Sequence, residues 1–374
     1  MNRIALVHDY LLGIGGAERV LKALHEMFPE APIYSVVYDK KFVGEFLGNA
    51  IVRGSFLQKL PLFFRRRYKY FSFLIPSAVE RLDLSEFDIV ISSCSAFCKG
   101  IITRPDTVHI CYCHTPTRYL WDWTHSYSSM LGERGIRGIF VKISIHLLRM
   151  WDQQAARRVD YFIANSKHVA ARIRKYYGKE AKVIYPPVRG WESAESNIEI
   201  SGNSHYYLIV SQLRPYKQID IAIEAFKKLG FPLVIIGEGS DRKRLRELAG
   251  DAKNIKFLGR LDDDPLAEYY KNCKAFIYPG EEDFGIAMAE AMLFGKPVLA
   301  FGNGGAKEIV IEGATGEFFD DAHPVVLADG LRRLNENYEN YSPLLIRKRA
   351  EKFSHERFEK DILEFVGECC KIRA

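Results

Sequence analysis

Residues 280–297 read Gly-Glu-Glu-Asp-Phe-Gly-Ile-Ala-Met-Ala-Glu-Ala-Met-Leu-Phe-Gly-Lys-Pro, and the rest of the chain is best read outward from this run. Ile277-Tyr278-Pro279 before it predicts the end of a buried strand. A short acidic turn and Phe284-Gly285 follow, and residues 287–294 form an Ala/Met-rich stretch of strong helix propensity. Gly285 at the helix start lets free backbone N–H groups approach an anion, and the helix dipole favours negative charge there. Glu282 and Glu290 are separated by a little over two helical turns, so both carboxylates can face the same side of that anion site. Acid, anion cradle and acid together suit a sugar nucleotide. One carboxylate would meet sugar hydroxyls, the N–H groups a diphosphate, and the other carboxylate a ribose.

The chain has 374 residues, enough for two domains of about 150–200 residues. Composition is that of a globular protein, 48% apolar and 27% charged, without low-complexity tracts or solenoid repeats. Met1 leads at once into the apolar run 4–7, which predicts no secretory signal, and no apolar run reaches the roughly 18–20 residues of a membrane span. A cytoplasmic protein, or one peripheral on the inner face of the cell membrane, is the expectation.

Seven cysteines in such a protein should be reduced thiols. Cys94, Cys98, Cys111 and Cys113 lie near His109 and His114, so a metal site has to be weighed. Alternation along Cys111-Tyr112-Cys113 puts both thiols on one strand face, where buried cysteine is common packing, and zinc spacing does not repeat. The expectation is no metal and no cofactor. The formal charge of +6 is unevenly placed. Residues 53–79 carry Arg53, Lys59, Arg65, Arg66, Arg67 and Lys69, no Asp or Glu, and aromatics from Phe56 to Phe73. Such a stretch suits an anionic membrane surface or nucleic acid, or is a solvated face over a core helix. No recognised nucleic-acid-binding fold accompanies it, and no nucleic-acid partner is expected.

Apolar strands alternate with amphipathic helices in the first half. Strands are expected at 4–7, 33–37, 89–92, 108–113 and 161–164, with helices at 18–28, 140–156 and 167–176. Pro186-Pro187 and the polar, pattern-poor residues 189–204 read as a linker. The alternation restarts with strands at 207–210, 233–236, 255–257, 275–278 and 297–300 and helices at 219–229, 241–249 and 265–272. The organisation expected is a first domain over 1–188, a linker over 189–204, a second domain over 205–352 and a final helical segment over 353–374. Alternation of this kind means parallel, doubly wound sheets, which bind ligands outside the carboxyl ends of their strands.

Several motifs fall at such ends. Gly15-Gly16 precedes the first helix within His8-Asp9-Tyr10-Leu11-Leu12-Gly13-Ile14-Gly15-Gly16-Ala17-Glu18. It lacks dinucleotide-binding spacing, yet it can bring N–H groups to a phosphate or sugar, or be a plain tight turn. Lys217, in Ser211-Gln212-Leu213-Arg214-Pro215-Tyr216-Lys217, follows the first strand of the second domain and is placed to meet a diphosphate. His114, in Cys113-His114-Thr115-Pro116-Thr117-Arg118, stands at a strand end where an imidazole can bond a sugar hydroxyl. Asn165-Ser166 caps a helix. Gly302-Asn303-Gly304-Gly305-Ala306-Lys307-Glu308 opens another.

Together these motifs resemble the retaining glycosyltransferases of family four, the group 1 glycosyl transferases. The resemblance covers nearly the whole chain and rests on the Glu-x7-Glu pattern of 282–290, the Gly-Gly-Ala-Glu loop and the His-Thr-Pro stretch shared with mannosyl- and rhamnosyltransferases. It implies the GT-B architecture: an α/β chain of two Rossmann-like domains facing across a cleft, the first binding acceptor and the second the nucleotide-diphosphate sugar. It implies hexosyl transfer without metal to a saccharide or lipid-linked acceptor in bacterial polysaccharide or O-antigen assembly, with GDP-mannose favoured as donor. By that resemblance Glu282, His114 and Lys217 serve catalysis. Gln212, Arg214, Lys217, Arg260, Leu261, Glu282, Phe284, Gly285, Ile286 and Glu290 bind donor, and Gly15 and Gly16 form the phosphate and acceptor loop. Gln212 stands where similar enzymes carry Arg, with Arg214 nearby to supply charge. An epimerase or phosphorylase of the same fold, or a non-catalytic nucleotide-sugar-binding protein, are the alternatives. A dinucleotide-dependent oxidoreductase fits the glycine spacing poorly.

Overall fold

The computed structural model describes residues 3–61, 73–124, 135–189 and 206–373. The chain divides into two compact units, Met1–Tyr185 with Phe358–Ala374, and Pro186–Arg357. Of the expected linker, only Arg189 is described.

The first unit is built on a seven-stranded sheet: β1 (Ile4–Leu11), β2 (Ile33–Tyr38), β3 (Val52–Gly54), β4 (Ile89–Cys94), β5 (Val108–Cys113), β6 (Tyr161–Ala164) and β7 (Ala181–Val183). Their order is β3-β2-β1-β4-β5-β6-β7, and every ladder is parallel. The strands read as near-continuous apolar runs because both faces are covered. Side chains alternate: Ala5, Val7, Cys111 and Cys113 enter one core, while Leu6, Ile110 and Tyr112 enter the other. The C-terminal helix His355–Arg373 supplies Phe358, Ile362, Val366 and Cys369 to the second of these cores.

In the second unit β8 (Tyr207–Val210), β9 (Leu233–Ile236), β10 (Ile255–Gly259), β11 (Ala275–Tyr278), β12 (Val298–Phe301) and β13 (Gly316–Phe319) form a parallel sheet. Its order is β10-β9-β8-β11-β12-β13. Each sheet reverses its strand order once, between β1 and β4 in the first unit and between β8 and β11 in the second. At such a point the helices leave for opposite faces and the loops at the carboxyl ends part to leave a crevice.

Several elements differ from the sequence reading. β1 runs on to Leu11, so His8-Asp9-Tyr10 belongs to a strand and not to the turn after it. The helices Lys40–Leu47, Pro324–Glu336 and Pro343–Ala350 and the strands β3, β7 and β13 went unread as elements. β3 and β13 are short edge strands with little apolar periodicity to announce them, and Asp39 caps Lys40–Leu47 through bonds to the Lys41 and Phe42 N–H groups. Residues 62–72, with Arg65, Arg66, Arg67 and Lys69, lie outside the described residues. At the margins of that basic stretch Arg53 donates to Tyr34 Oη (2.8 Å) and Glu86 Oε1 (3.3 Å), while Phe73 is exposed.

Candidate active site

The reversal between β8 and β11 brings two loops together. Lys217 ends the single helical turn Pro215–Lys217 after β8, Tyr278 ends β11, and Glu282 lies four residues beyond it. Lys217 Nζ donates to Tyr278 Oη at 2.7 Å and to Glu282 Oε2, and the Tyr278 hydroxyl donates to the same carboxylate oxygen. Lys217 is nearly enclosed. Burial alone would lower its pKa, but the Glu282 carboxylate outweighs that and holds the ammonium well above its ordinary value.

Gly280 permits the approach: a Cβ there would stand 2.7 Å from the Lys217 carbonyl oxygen. The glycine loop after β12 supports Glu282 from the other side, where Gly305 N–H donates to its carbonyl oxygen at 2.8 Å. Just past Glu282, Gly285 caps the helix Ile286–Leu293 at φ +106°, a left-handed conformation that favours glycine. The first N–H groups of that helix have no intrahelical acceptor, an arrangement that can receive an anion.

The other residues expected to bind donor are placed unevenly. Glu290 is buried within the helix and accepts from Tyr270 Oη at 2.9 Å, so the two glutamates of the pattern have different partners. Phe284 is buried edge-on against Phe353, ring centroids 5.1 Å apart. Ile286 is half-buried and Gln212 exposed, while Arg214 reaches Ser240 Oγ only at 3.5 Å. Arg260 and Leu261 follow the edge strand β10, which β9 separates from β8.

In the first unit His114 follows β5. Its N–H donates to the Cys94 carbonyl (2.8 Å), its carbonyl accepts from Asn165 Nδ2 (2.9 Å), and its Nε2 lies 2.8 Å from Ser93 Oγ. Burial pushes the ring's pKa down to about 3, so the imidazole is neutral. The residues after it are clamped by charge. Arg172 donates to Thr115 Oγ1 (2.8 Å) and Asp122 Oδ1 (2.7 Å). Asp152, fully buried, accepts from Lys99 Nζ (2.5 Å), Thr117 Oγ1, Trp121 Nε1 and Tyr177 Oη (2.8 Å each). Gly15 caps the helix Gly16–Met27 in extended conformation, and Gly16 is exposed at its first position.

Asp9, Cys94 and Cys98 offer ligand atoms within 4.8 Å of one another. The Asp9 oxygens are already committed, accepting the N–H groups of Ser95, Ala96, Phe97 and Cys98 at 2.7–2.8 Å. Cys98 Sγ donates to the Ser93 carbonyl. This carboxylate therefore anchors the loop after β4, an anion held by a ring of amides. Tyr278, His8, Asp9 and Ser93 were not picked out from the sequence as site residues. The available signal was a polar side chain at the carboxyl end of a strand beside a reversal of sheet order.

Comparison with known proteins follows the same division of the chain. The family model described as Glycosyltransferase Family 4 matches residues 14–189, and that described as Glycosyl transferases group 1 matches residues 192–353. The chain belongs to the family-four glycosyltransferases.

This glycosyltransferase is 30% identical over 197 residues to an uncharacterised glycosyltransferase of Methanocaldococcus jannaschii, covering 51% of this chain and 54% of that protein. It is 26% identical to a D-rhamnosyltransferase of Pseudomonas aeruginosa over 56% of this chain and 57% of the other. Those two matches thus span little more than half the relatives' length. An alpha-1,3/1,6-mannosyltransferase of Debaryomyces hansenii is 25% identical over 83% of this chain and 76% of its own. Among solved structures, Anabaena HepE in complex with UDP-glucose superposes with a TM-score of 0.70 at 18% identity, covering 98% of this chain and all of that one. Sucrose-phosphate synthase of Thermosynechococcus elongatus superposes with 0.73 at 17%, covering both chains fully. At that identity the superpositions show the fold. The two parallel sheets of this glycosyltransferase are those of the GT-B architecture.

Proposed function

We propose that the protein transfers a hexose, with retention at the anomeric carbon, from a nucleoside diphosphate sugar to a saccharide or lipid-linked saccharide. The observation that carries this reading is the Lys217–Tyr278–Glu282 cluster beside the N-terminus of the helix Ile286–Leu293. The leaving group is a diphosphate, so the site's main task is to stabilise negative charge as the glycosidic bond breaks. Lys217 and the N–H groups past Gly285 supply that stabilisation without a metal. Without donor, Lys217 holds its charge against Glu282. A bound diphosphate draws the ammonium towards itself and releases the carboxylate to orient sugar hydroxyls. Glu290 serves the ribose. His114, neutral, meets a sugar hydroxyl. The departing phosphate oxygen takes the acceptor proton, so no side chain has to be a strong base.

Mannose as the sugar is supported by the mannosyltransferase relative, and GDP as its carrier by the resemblance of the Glu-Glu-Asp-Phe-Gly run and the His-Thr-Pro stretch. A thermal-shift screen of UDP- and GDP-sugars, followed by nucleotide release with candidate acceptors, tests this. Stabilisation by GDP-mannose above the other donors supports it. A preference for a UDP-sugar replaces the donor and keeps the reaction.

A place at an anionic lipid surface is part of the same proposal. Besides the basic run within 53–79, the helix Gly135–Arg157 exposes Ile139, Phe140, Ile143, Leu147 and Met150 at helical spacing. Among the described residues no helix is long and apolar enough to cross a membrane. Such a face can lie in the interface while basic residues meet lipid phosphates. Co-sedimentation with vesicles containing anionic lipid should fall when Arg65, Arg66 and Arg67 become Gln. Equal pelleting of both proteins, or none by either, would retire this part.

A further inference from the structure

Four polar side chains from four elements line up across the first sheet's reversal point. His8 and Ser93 are register partners on β1 and β4. His8 Nδ1 lies 3.2 Å from Ser93 Oγ, and Ser93 Oγ lies 2.8 Å from His114 Nε2. Glu18, in the first turn of the helix Gly16–Met27, places Oε1 3.7 Å from His8 Nε2. His8, Ser93 and His114 are all buried. His114 Nδ1 is bonded to no described residue and is not among the buried unpaired atoms, so this nitrogen opens to solvent.

We propose that Ser93 and His8 form a proton relay behind His114, with Glu18 balancing the charge that arrives on His8. Ser93 has one hydroxyl proton to share between two imidazoles, and this fixes the bookkeeping. With His8 neutral, the Glu18 carboxylate keeps its proton on Nε2, so Nδ1 accepts from Ser93. Ser93 Oγ then accepts from His114 Nε2–H, which leaves His114 Nδ1 bare, an acceptor. A proton taken up at His114 Nδ1 sends the Nε2 proton to Ser93 and the Ser93 proton to His8 Nδ1. The product is a neutral His114 that is now a donor at Nδ1, and an imidazolium at His8.

The groups facing His8 suit that end state. Glu18 approaches from the helix and Asp9 from its own strand. β2 opposes it with the Ser35 hydroxyl, β4 offers Ser93, and β5 leads to the neutral His114. Burial disfavours a charge on His8, but Glu18 and Asp9 outweigh it and raise its pKa, whereas His114 stays uncharged. The inference deepens the proposed function, since it makes His114 an acceptor or a donor toward a sugar hydroxyl according to the charge on His8. Ser93, His8 and Glu18 are positioning residues.

The test is independent of turnover. Imidazole nitrogen shifts are recorded by NMR on the full-length protein with 15N-labelled histidine, across about pH 5–8. The relay predicts that His114 stays singly protonated and changes from the Nε2–H to the Nδ1–H tautomer with the same midpoint as the titration of His8. Ser93→Ala should uncouple the two, Ser93→Thr should restore the coupling, and Glu18→Gln should lower the His8 midpoint by about one unit. A His114 tautomer unchanged while His8 titrates, or a doubly protonated His114 in that range, overturns the proposal. If Ser93→Ala does not fold, the Glu18→Gln shift with an unmoved His114 midpoint overturns it equally. Loss of sugar transfer with the coupling intact would count against the proposed function alone.

Discussion

Replacing Asp152 by Asn exchanges one carboxylate oxygen for an NH2 group at the centre of a buried network and should destabilise the first unit by about 3–5 kcal/mol, the range for removing one partner of a buried ion pair. The structure shows why the loss is large. Oδ1 takes Lys99 and Thr117, while Oδ2 takes Trp121 and Tyr177, so all four neighbours are donors. An asparagine offers one acceptor oxygen and turns an NH2 group towards the remaining donors, whichever way the amide is placed. Lys99 is 1% exposed, and after the exchange only neutral oxygens, those of Ala96 and Thr117 among them, would face its ammonium. Equilibrium urea unfolding of wild type and variant, followed by tryptophan fluorescence, measures the difference, since Trp121 is itself in the network. Lys99→Met added to Asp152→Asn should recover part of the loss by removing the uncompensated charge. A loss below about 1 kcal/mol, or a double variant worse than the single, would refute the reasoning. Because Thr117 and Trp121 follow His114 in sequence, the same variant should also loosen that imidazole.

Gly285→Ala places a side chain at φ +106° against the Met288 methyl and should weaken nucleotide binding along with stability, by about 1–3 kcal/mol in total; calorimetry and urea titration check it. Lys217→Ala should reduce donor affinity by about 1.5–3 kcal/mol and Arg214→Ala by less, because Lys217 alone is held in the Tyr278–Glu282 cluster; equal small losses in calorimetry would contradict this. All seven cysteines are free thiols, and only Cys370 is more than slightly exposed, so a thiol reagent under native conditions should modify Cys370 first and the others on unfolding.

Sequence alone carried the fold because both sheets are parallel and covered on both faces, so each inner strand, such as residues 89–92 and 233–236, is a compact apolar run between amphipathic helices. Lys217, Glu282 and Gly285 were legible for a related reason. They stand in loops at strand ends: a lysine and a glycine opening a helix suit an anion whatever surrounds them, and Glu282 stands out by its spacing from Glu290. The pairing of Lys217 with Glu282 through Tyr278 was not legible. It depends on β8 and β11 being neighbours, separated by a long stretch of chain, and on Gly280 letting the loops touch. The burial of Glu290 against Tyr270 was hidden for the same reason, since the helix register says which face a residue occupies and not what covers it. His8, Asp9 and Ser93 looked like turn and strand polars. Only the order β2-β1-β4-β5 turns them into the support of His114 and of the loop after β4.

In the proposed reaction Glu282, held by Lys217 and Tyr278 beside the N-terminus of the helix Ile286–Leu293, works on the sugar and not on the nucleotide. Transfer by wild type and by Glu282→Ala, measured with the donor that the thermal-shift screen selects and set beside calorimetric binding of the matching nucleoside diphosphate, tests it most directly. Near-abolished transfer with largely intact diphosphate binding is the predicted result; near-normal turnover by the variant would contradict the account.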